Sequence, residues 1–292
     1  MPRPTRDIDE IVQLHAREGS AVQEVFVEGK EDKCFYESFL TQTGLKHVAV
    51  LEIGTVNVPD GRVLALGQKV GEKGRVVTLA ALLQGRVTQS QVVCIADADT
   101  DHFRGVAYPY LLLLLTDYTS IELYVLCPSV MQRIMDVALR GFPKGYAQVT
   151  AELAQLLQEA FVVRVAAEDL GLGPAYPDHH RFCAFDKRRR AASFRAADYI
   201  NKAFEEHHDK SWRDPLNEKI AERRGQLRRD ARLQMHGHDF ANTFTWFVRQ
   251  HPGFGHINPA TFAGVLLGFV DTATLSSEPL FRELVRRLKL VQ

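Results

Sequence analysis

The sequence has few cysteines and lacks the motifs that define several enzyme classes. Its four cysteines, Cys34, Cys94, Cys127 and Cys183, lie far apart and include no CxxC pair. This spacing favours buried free thiols in a reducing compartment over a disulfide framework or a zinc site. The chain also has no HExxH motif of a zinc protease and no GxxxxGK[ST] phosphate loop of an ATPase, so we expect neither activity.

Long apolar runs are missing as well. The first ten residues, MPRPTRDIDE, lack the apolar segment of a secretory signal. The most apolar run, VAYPYLLLLL at 106–115, is shorter than the roughly 20 residues of a membrane-spanning helix and contains Pro109. We therefore interpret it as a buried strand and expect a cytoplasmic protein with no membrane partner.

The net charge is zero, but the charges are distributed unevenly. Residues 1–180 carry 16 Lys and Arg against 23 Asp and Glu, whereas residues 181–232 carry 15 against 9. An acidic first part and a basic middle suit a metal-binding region joined to an anion-binding segment. Basic runs on helices also occur on ordinary solvated faces, so the charge pattern alone leaves both readings open.

The first part of the chain alternates strand and helix patterns. The apolar runs EVFVEG, HVAVLEIG, QVVCIADAD and YLLLLLTD are typical of strands, and DKCFYESFLTQTG and RVVTLAALLQGR have helical spacing. Segment 54–75, with five glycines, is interpreted as loops around one short helix. This alternation predicts the α/β class, with a mainly parallel sheet flanked by helices.

The strand signal fades after residue 128, and the remaining segments have mostly helical periodicity. We therefore predict a mostly helical C-terminal region after the sheet. The predicted division is an N-terminal helix at 1–20, ended by Gly19, an α/β domain at 21–128 and a helical domain at 129–292.

Carboxylates follow three of the four predicted strands. The first strand ends at Glu28, the third at Asp97 and Asp99, and the fourth at Asp117, with Glu122 about one turn later. Ligands of open parallel sheets bind beyond the carboxyl ends of the strands. If the first, third and fourth strands are neighbours, these acids converge on one cleft.

Several carboxylates in one cleft repel each other unless a cation joins them or some are protonated. Hard oxygen ligands favour Mg²⁺ or Mn²⁺ over zinc. Asp97 and Asp99 would share a face of an extended segment, and Glu28 could then act as a general base or acid. The alternative is that these acids only cap helices, as Asp32 could do in the first turn of its helix.

The segments VFVEGKEDKCFY and VVCIADADTDHF resemble the toprim domain, the catalytic core of topoisomerases, bacterial primases and nucleases of the overcoming-lysogenisation-defect (OLD) type. The resemblance implies that Glu28 is the catalytic acid or base, that Gly29 forms a tight turn, and that Asp97 and Asp99 bind Mg²⁺. On this basis the catalytic residues are Glu28, Asp97 and Asp99.

The segments LEIGTVNV, LLLTDYTSIELYVL and MHGHDFANTF resemble a narrower family of toprim-like bacterial proteins. Members often accompany ABC-type or AAA-type ATPases in anti-phage systems and include the toprim effector of the PARIS system. The resemblance implies an ATPase partner and adds Glu122 to the metal ligands. It leaves open whether Asp101 is a ligand, what Asp117 does and whether the chain forms a homodimer.

Two basic runs and one lysine are candidate phosphate contacts. FDKRRR at 185–190 supplies Lys187, Arg188, Arg189 and Arg190, ERRGQLRRDAR at 222–232 supplies further arginines, and Lys30 follows the Glu-Gly pair. Clustered cations of this kind hold the phosphates of nucleic acids. The alternative for the two runs is a solvated helix face. For His238 and Asp239, in the segment GHDF, a packing or helix-capping role is expected rather than a catalytic one.

Three functions are compatible with these motifs. The first is a Mg²⁺-dependent toprim nuclease that cuts DNA or RNA as the effector of a defence system. The second is a toprim-like binding module, weakly catalytic or inactive, that docks on an ATPase. The third is a haloacid-dehalogenase phosphatase or a DxD glycosyltransferase; neither accounts for Glu28-Gly29, and DADTD has Asp where the phosphatase motif needs Thr or Val.

Overall fold

A computed structural model describes residues 5–17 and 21–289. Their contacts divide the chain into two compact units. The sheet unit comprises residues 1–98, 106–117 and 271–292, and the helical unit comprises residues 99–105 and 118–270. The units alternate along the chain, whereas the division predicted from the sequence is linear. The predicted end of the first helix at Gly19 lies outside the described residues.

The sheet unit is organised around four parallel strands. They are β1 (Glu24–Val27), β2 (Ala49–Glu52), β3 (Val92–Ala96) and β4 (Leu113–Leu115). The spatial order is β2-β1-β3-β4, with Phe26 opposite Leu51 on one side and Cys94 on the other. Parallel pairing places the carboxyl ends of all four strands at the same edge of the sheet.

Among the described residues, six α-helices of the sheet unit precede, connect or follow these strands. They are α1 (Ile8–Ala16), α2 (Lys30–Gln42), α3 (Asp60–Ala65), α4 (Glu72–Leu83), α12 (Thr272–Ser277) and α13 (Pro279–Leu288). Gly44, with a φ of 84°, follows α2 in the left-handed region that favours glycine. The glycine-rich segment 54–75, interpreted from the sequence as loops around one short helix, contains α3 and also the first turn of α4.

The core of this unit explains why the sequences of the inner strands are continuous apolar runs. Every residue of β1 and β3 is buried, as expected for inner strands covered on both faces. One cluster joins Phe26 and Cys94 of the sheet to Val76, Leu79 and other residues of α4. Removal of this apolar surface from water is the main stabilising contribution to such a unit.

The helical unit contains seven α-helices and a small hairpin among its described residues. The helices are α5 (Asp101–Arg104), α6 (Pro128–Arg133), α7 (Tyr146–Asp169), α8 (Ala196–Ala203), α9 (Arg213–Arg224), α10 (Gly237–Arg249) and α11 (Pro259–Leu266). A 3₁₀-helix spans Ile121–Leu126, and a π-helical turn spans Ile134–Ala138. A core cluster joins α7 to Tyr199 of α8 and Leu216 of α9.

The hairpin consists of β5 (Cys183–Asp186) and β6 (Ala191–Phe194), paired antiparallel. The prediction of helical structure after residue 128 is wrong for Phe194, which lies in β6. The following helix, α8, begins only at Ala196. The basic run 222–232 is also less helical than expected, since α9 ends at Arg224.

The predicted fold class is confirmed: the protein is α/β, with a four-stranded parallel sheet flanked by helices and a mostly helical C-terminal region. The apolar run 106–115 contributes β4 only through its last residues. Among the described residues, no helix combines the length and the apolar character needed to cross a bilayer.

Candidate metal centre at the carboxyl edge of the sheet

Glu28 is the first residue after β1, at the carboxyl edge of the sheet. Its Oε1 accepts a hydrogen bond of 2.8 Å from the backbone N–H of Asp97, the first residue after β3. The neighbouring positions of β1 and β3 therefore bring together two acids that are 69 residues apart in sequence. Glu28 and Asp97 are both partly exposed, so solvent and ligands can reach this edge.

Gly29 follows Glu28 and precedes the first turn of α2. Its backbone is extended, with a φ of −136°, and the chain bends at Glu28 and Gly29, between β1 and α2. The N–H of Gly29 donates to Asp32 Oδ2 at 2.9 Å. Asp32 therefore serves the start of the helix, which is the capping role considered for it from the sequence. Lys30 is exposed at the first position of α2.

The residues after β3 are fixed by two hydrogen bonds at Ala98. Its N–H donates to Thr116 Oγ1 at 2.9 Å, and its carbonyl accepts from Lys73 Nζ at 3.1 Å. Thr116 follows β4, so these bonds tie the Asp97 segment to the neighbouring strand and to α4. A lysine thus lies directly beside the first acid of the DxD motif.

Asp117 follows β4 at the same edge but has a partner from far along the chain. Its Oδ1 accepts a hydrogen bond of 3.0 Å from the backbone N–H of Leu280, in the first turn of α13. Negative charge at a helix N-terminus is favourable. Asp117 therefore stabilises α13 in addition to lying beside the other strand-end acids.

Tyr36 of α2 is the buried neighbour that these acids share. Its side chain is about 99% buried, and its hydroxyl has no hydrogen-bond partner among the described residues. Burial raises the pKa of this phenol well above its ordinary value. Four nearby carboxylates raise the pKa further through their negative charges: Asp32, Asp97, Asp117 and Glu28. All four of these carboxylates belong to the sheet unit.

Sequence reasoning missed Glu72 and Lys73, which occupy the first turn of α4. A Cβ added to Gly29 would lie 3.9 Å from Glu72 Oε2, so Glu72 belongs to the same edge. The two residues stand in GEKG, within a segment interpreted mainly as loop. The signal that could have identified them is the pair of charged residues at a helix start between Gly71 and Gly74.

The donor set fits a hard divalent cation. All of the candidate ligands at the edge are carboxylates, which Mg²⁺ and Mn²⁺ prefer. Among residues 5–17 and 21–289, no group of three or more His, Cys, Asp and Glu side chains is positioned to hold a metal ion. Mg²⁺ usually takes only one or two protein carboxylates and keeps waters or phosphates as its other ligands. Glu28 and Asp97 supply two carboxylates at this edge of the sheet.

Asp99 and Asp101 belong to the helical unit, because the division between the units runs through DADTD. Asp99 has a φ of 46°, in the left-handed region, and its N–H donates to Thr119 O at 2.8 Å. The assumption that Asp97 and Asp99 share a face of an extended segment is therefore wrong at Asp99. Asp101 is buried at the start of α5 and is not solvent-facing.

Glu122 also belongs to the helical unit, in the 3₁₀-helix that follows β4. The backbone of Gly237, at the start of α10, lies so close that an added Cβ would overlap Glu122 Oε2 and Ser120 Oγ. His238 Nδ1 is 3.8 Å from Glu122 Oε1, and its side chain is mostly exposed. Asp239 forms a 2.7 Å ion pair with Arg164 of α7, in agreement with the packing role expected for it.

The two basic runs have different surroundings. Lys187, Arg188, Arg189 and Arg190 form the exposed turn between β5 and β6, so the helix-face alternative is wrong for this run. In the second run, three of the five arginines are paired within the helical unit: Arg223 with Asp169, Arg224 with Glu159 and Arg232 with Asp230. Arg228 and Arg229 are exposed.

No family model matches this chain, and no curated protein matches it.

Proposed function

We propose that the protein is a Mg²⁺- or Mn²⁺-dependent nuclease of the toprim type that hydrolyses phosphodiester bonds in DNA or RNA. The observation that carries this proposal is the bond between Glu28 and the N–H of Asp97 at an edge that Asp117 shares. Three acids follow adjacent parallel strands, in the position where open sheets bind ligands. The proposal includes a role as effector of a bacterial anti-phage system with an ATPase partner.

In this proposal Glu28 and Asp97 hold the divalent cation on their carboxylate oxygens. A bound divalent cation polarises a phosphoryl oxygen and makes a bound water acidic enough to attack at neutral pH. Glu28 is the group that moves a proton, since it follows the inner strand β1 and is partly exposed. The N–H of Asp97 orients its Oε1, which restricts the carboxylate to one position.

Lys73 and Tyr36 have supporting roles. The Lys73 ammonium, bonded to Ala98 O, offers positive charge to a phosphate or to the developing negative charge beside Asp97. The raised pKa of Tyr36 keeps its phenol protonated, so it adds no negative charge to a region that already contains four carboxylates. Asp99 and Glu122, the other metal ligands that the resemblance implies, belong to the helical unit, so the proposal is carried by Glu28 and Asp97.

The test compares cleavage of plasmid DNA and structured RNA by wild-type protein and by Glu28→Gln, with Mg²⁺ or Mn²⁺ and with the candidate ATPase present or absent. The variant keeps the size of the side chain and an acceptor for the Asp97 N–H but removes the base. We expect cleavage to fall by about 10²-fold or more. Glu31→Gln is the matched control, because Glu31 is exposed one turn away and should retain wild-type activity.

Two results would contradict the proposal. One is metal-dependent cleavage that survives in Glu28→Gln, and the other is no cleavage by wild-type protein under any of these conditions. Stable binding of the ATPase together with the second result would favour the docking-module alternative. Isothermal titration of Mn²⁺ into wild-type and Asp97→Asn protein measures the metal site separately, and we expect the variant to bind more weakly.

A further inference from the structure

The turn between β5 and β6 holds four consecutive cations on a fixed backbone. The last pair of the hairpin is Asp186 with Ala191, which leaves residues 187–190 as the connecting loop. Asp186 Oδ1 accepts the backbone N–H groups of Arg188 at 2.8 Å and Arg189 at 3.1 Å. The one carboxylate of the turn therefore stabilises its backbone, and the basic side chains extend from a defined loop.

The other end of the loop is held by a buried lysine. Lys144, which is 9% exposed, donates to the carbonyl of Arg190 at 2.7 Å and forms an ion pair of 2.6 Å with Glu152 of α7. Arg190 itself has a φ of 50°, an uncommon conformation for a residue with a side chain. A partly buried ion pair therefore holds Lys144 in place against the carbonyl of Arg190, and the turn keeps an unfavourable backbone angle at Arg190.

The charges on the turn are directed to solvent. Among the described residues, the side chains of Lys187, Arg188 and Arg190 form no ion pair, and Arg189 contacts only Asp186, at 3.8 Å and with 86% of its side chain exposed. Residues 181–195 contain six cations and one carboxylate. The second basic run differs in part, because three of its five arginines, Arg223, Arg224 and Arg232, pair with acids of the helical unit.

The chemistry of the turn indicates its ligand. Guanidinium groups form paired hydrogen bonds with phosphate oxygens, and clustered cations recognise a backbone of high negative charge. Proteins that bind single strands use exposed aromatic rings on which bases stack. Residues 187–190 include no aromatic residue, and the flanking Phe185 of β5 and Phe194 of β6 pack against His251 and His179, with ring centroids 5.0 and 4.4 Å apart.

From these observations we infer that the β5–β6 turn, residues 187–190, binds the phosphate backbone of a double-stranded nucleic acid without reading its sequence. A duplex presents phosphates of both strands at about one charge per 1.7 Å of axis, which a compact cluster of four cations can contact together. This inference rests on the proposed function for its substrate class, and it assigns Arg223, Arg224 and Arg232 of the second basic run to folding.

The test measures binding of labelled 20-base-pair DNA and RNA duplexes, and of the corresponding single strands, by fluorescence anisotropy in EDTA. The triple variant K187Q/R188Q/R189Q removes three charges and leaves Arg190 and the Asp186 hydrogen bonds to the backbone unchanged. Its matched control is K46Q/R140Q/K210Q, which removes three exposed charges elsewhere. Circular dichroism and thermal melting check that each variant is folded.

We expect wild-type protein and the control to bind duplex more tightly than single strands, and the turn variant to bind duplex about tenfold or more weakly. Each phosphate contact contributes about 0.9 to the slope of log K against log salt concentration, so the turn variant should lose about 2–3 from that slope. Which duplex binds more tightly identifies the substrate as DNA or RNA.

Three results would overturn the inference: no binding of either duplex by wild-type protein, equal losses in the turn variant and the control, or single strands bound as tightly as duplex. The assay contains no metal ion and no cleavage step, so it separates this inference from the proposed hydrolysis.

Discussion

Single residues in this protein decide how closely its backbone segments approach one another. Gly237 begins α10 directly against the side chains of Ser120 and Glu122, and neither side chain leaves room for a Cβ. Its backbone needs no left-handed conformation, so the requirement for glycine is purely one of space. The Gly-His-Asp-Phe segment singled out in the sequence thus contains a packing position at its first residue, with Asp239 paired to Arg164 two residues later.

Gly237→Ala should therefore destabilise the helical unit. Insertion of a methyl group into a filled site costs about 1–3 kcal/mol. Urea denaturation of wild-type and variant protein measures the change in free energy of unfolding. Gly54→Ala is the control, because an added Cβ at Gly54 meets no atom within 4 Å. A variant at Gly237 that is as stable as the control would show that the 3₁₀-helix moves to accommodate the methyl group.

Elements of the sheet unit could be predicted from the sequence because their signals are local and strong. β1 and β3 are fully buried, so each is a continuous apolar run, and the acids that follow Val27 and Ala96 fall at the same edge in any parallel arrangement. The β5–β6 hairpin was missed because its strands are short and rich in alanine and serine, residues with little strand preference.

Other features of the site depend on contacts that no local pattern contains. The bond between Asp117 and Leu280 joins residues 163 positions apart, and nothing in TDYTS predicts a partner in the last helix. Glu72 and Lys73 were missed because a glycine-rich segment obscures the start of α4. Asp99 was placed on an extended segment because alternation of acids is common in strands, whereas its φ of 46° depends on the local turn.

Elements of the helical unit are joined by a buried neutral histidine. Nε2 of His179 lies 3.0 Å from the carbonyl of Leu156 in α7, and its Nδ1 lies 2.9 Å from the hydroxyl of Thr243 in α10. The carbonyl can only accept, so Nε2 carries the proton and Nδ1 accepts from Thr243. Burial lowers the pKa of His179 to about 4, with a smaller contribution from the charge of Arg164, and burial also lowers that of His236 to about 4.

Stability should therefore fall as the pH decreases from about 6.5 to about 4. In this range the unfolded chain binds protons at these histidines that the folded chain does not, so protonation favours unfolding. Urea denaturation at pH 7, 6 and 5 measures the slope, which should become shallower in His179→Gln. The exposed His208→Gln is the control and should keep the wild-type slope. An unchanged slope in His179→Gln would contradict the assignment.

At the scale of the whole molecule, the sheet unit is completed by residues from the far end of the described chain. Phe281 of α13 packs against Phe39 and Tyr36 of α2, with ring centroids 4.7 and 5.7 Å apart. Gln23 Nε2 donates to the carbonyl of Leu288, and Arg287 donates to that of Leu111. The helix is therefore part of the core beneath Tyr36 and the acids around it.

Phe281→Ala should destabilise the sheet unit by about 3–5 kcal/mol, because it removes a fully buried ring and leaves a cavity beside α2. Chemical denaturation followed by circular dichroism measures the loss. The control is Leu64→Ala, since Leu64 is 61% exposed and should change stability by less than about 0.5 kcal/mol. A loss at Phe281 no larger than that of the control would show that α13 is dispensable for the sheet unit.

The position of α13 also affects the order in which the protein can assemble during translation. The ribosome makes the four strands first, with residues 99–105 of the helical unit between β3 and β4. Residues 118–270 of the helical unit follow, and only then α12 and α13. Until then Asp117 lacks its partner at Leu280, and the aromatic surface of α2 lacks Phe281. A nascent chain interrupted within the helical unit therefore carries Glu28 and Asp97 on an unfinished sheet unit, so the proposed nuclease would become fully assembled only after α13 is made.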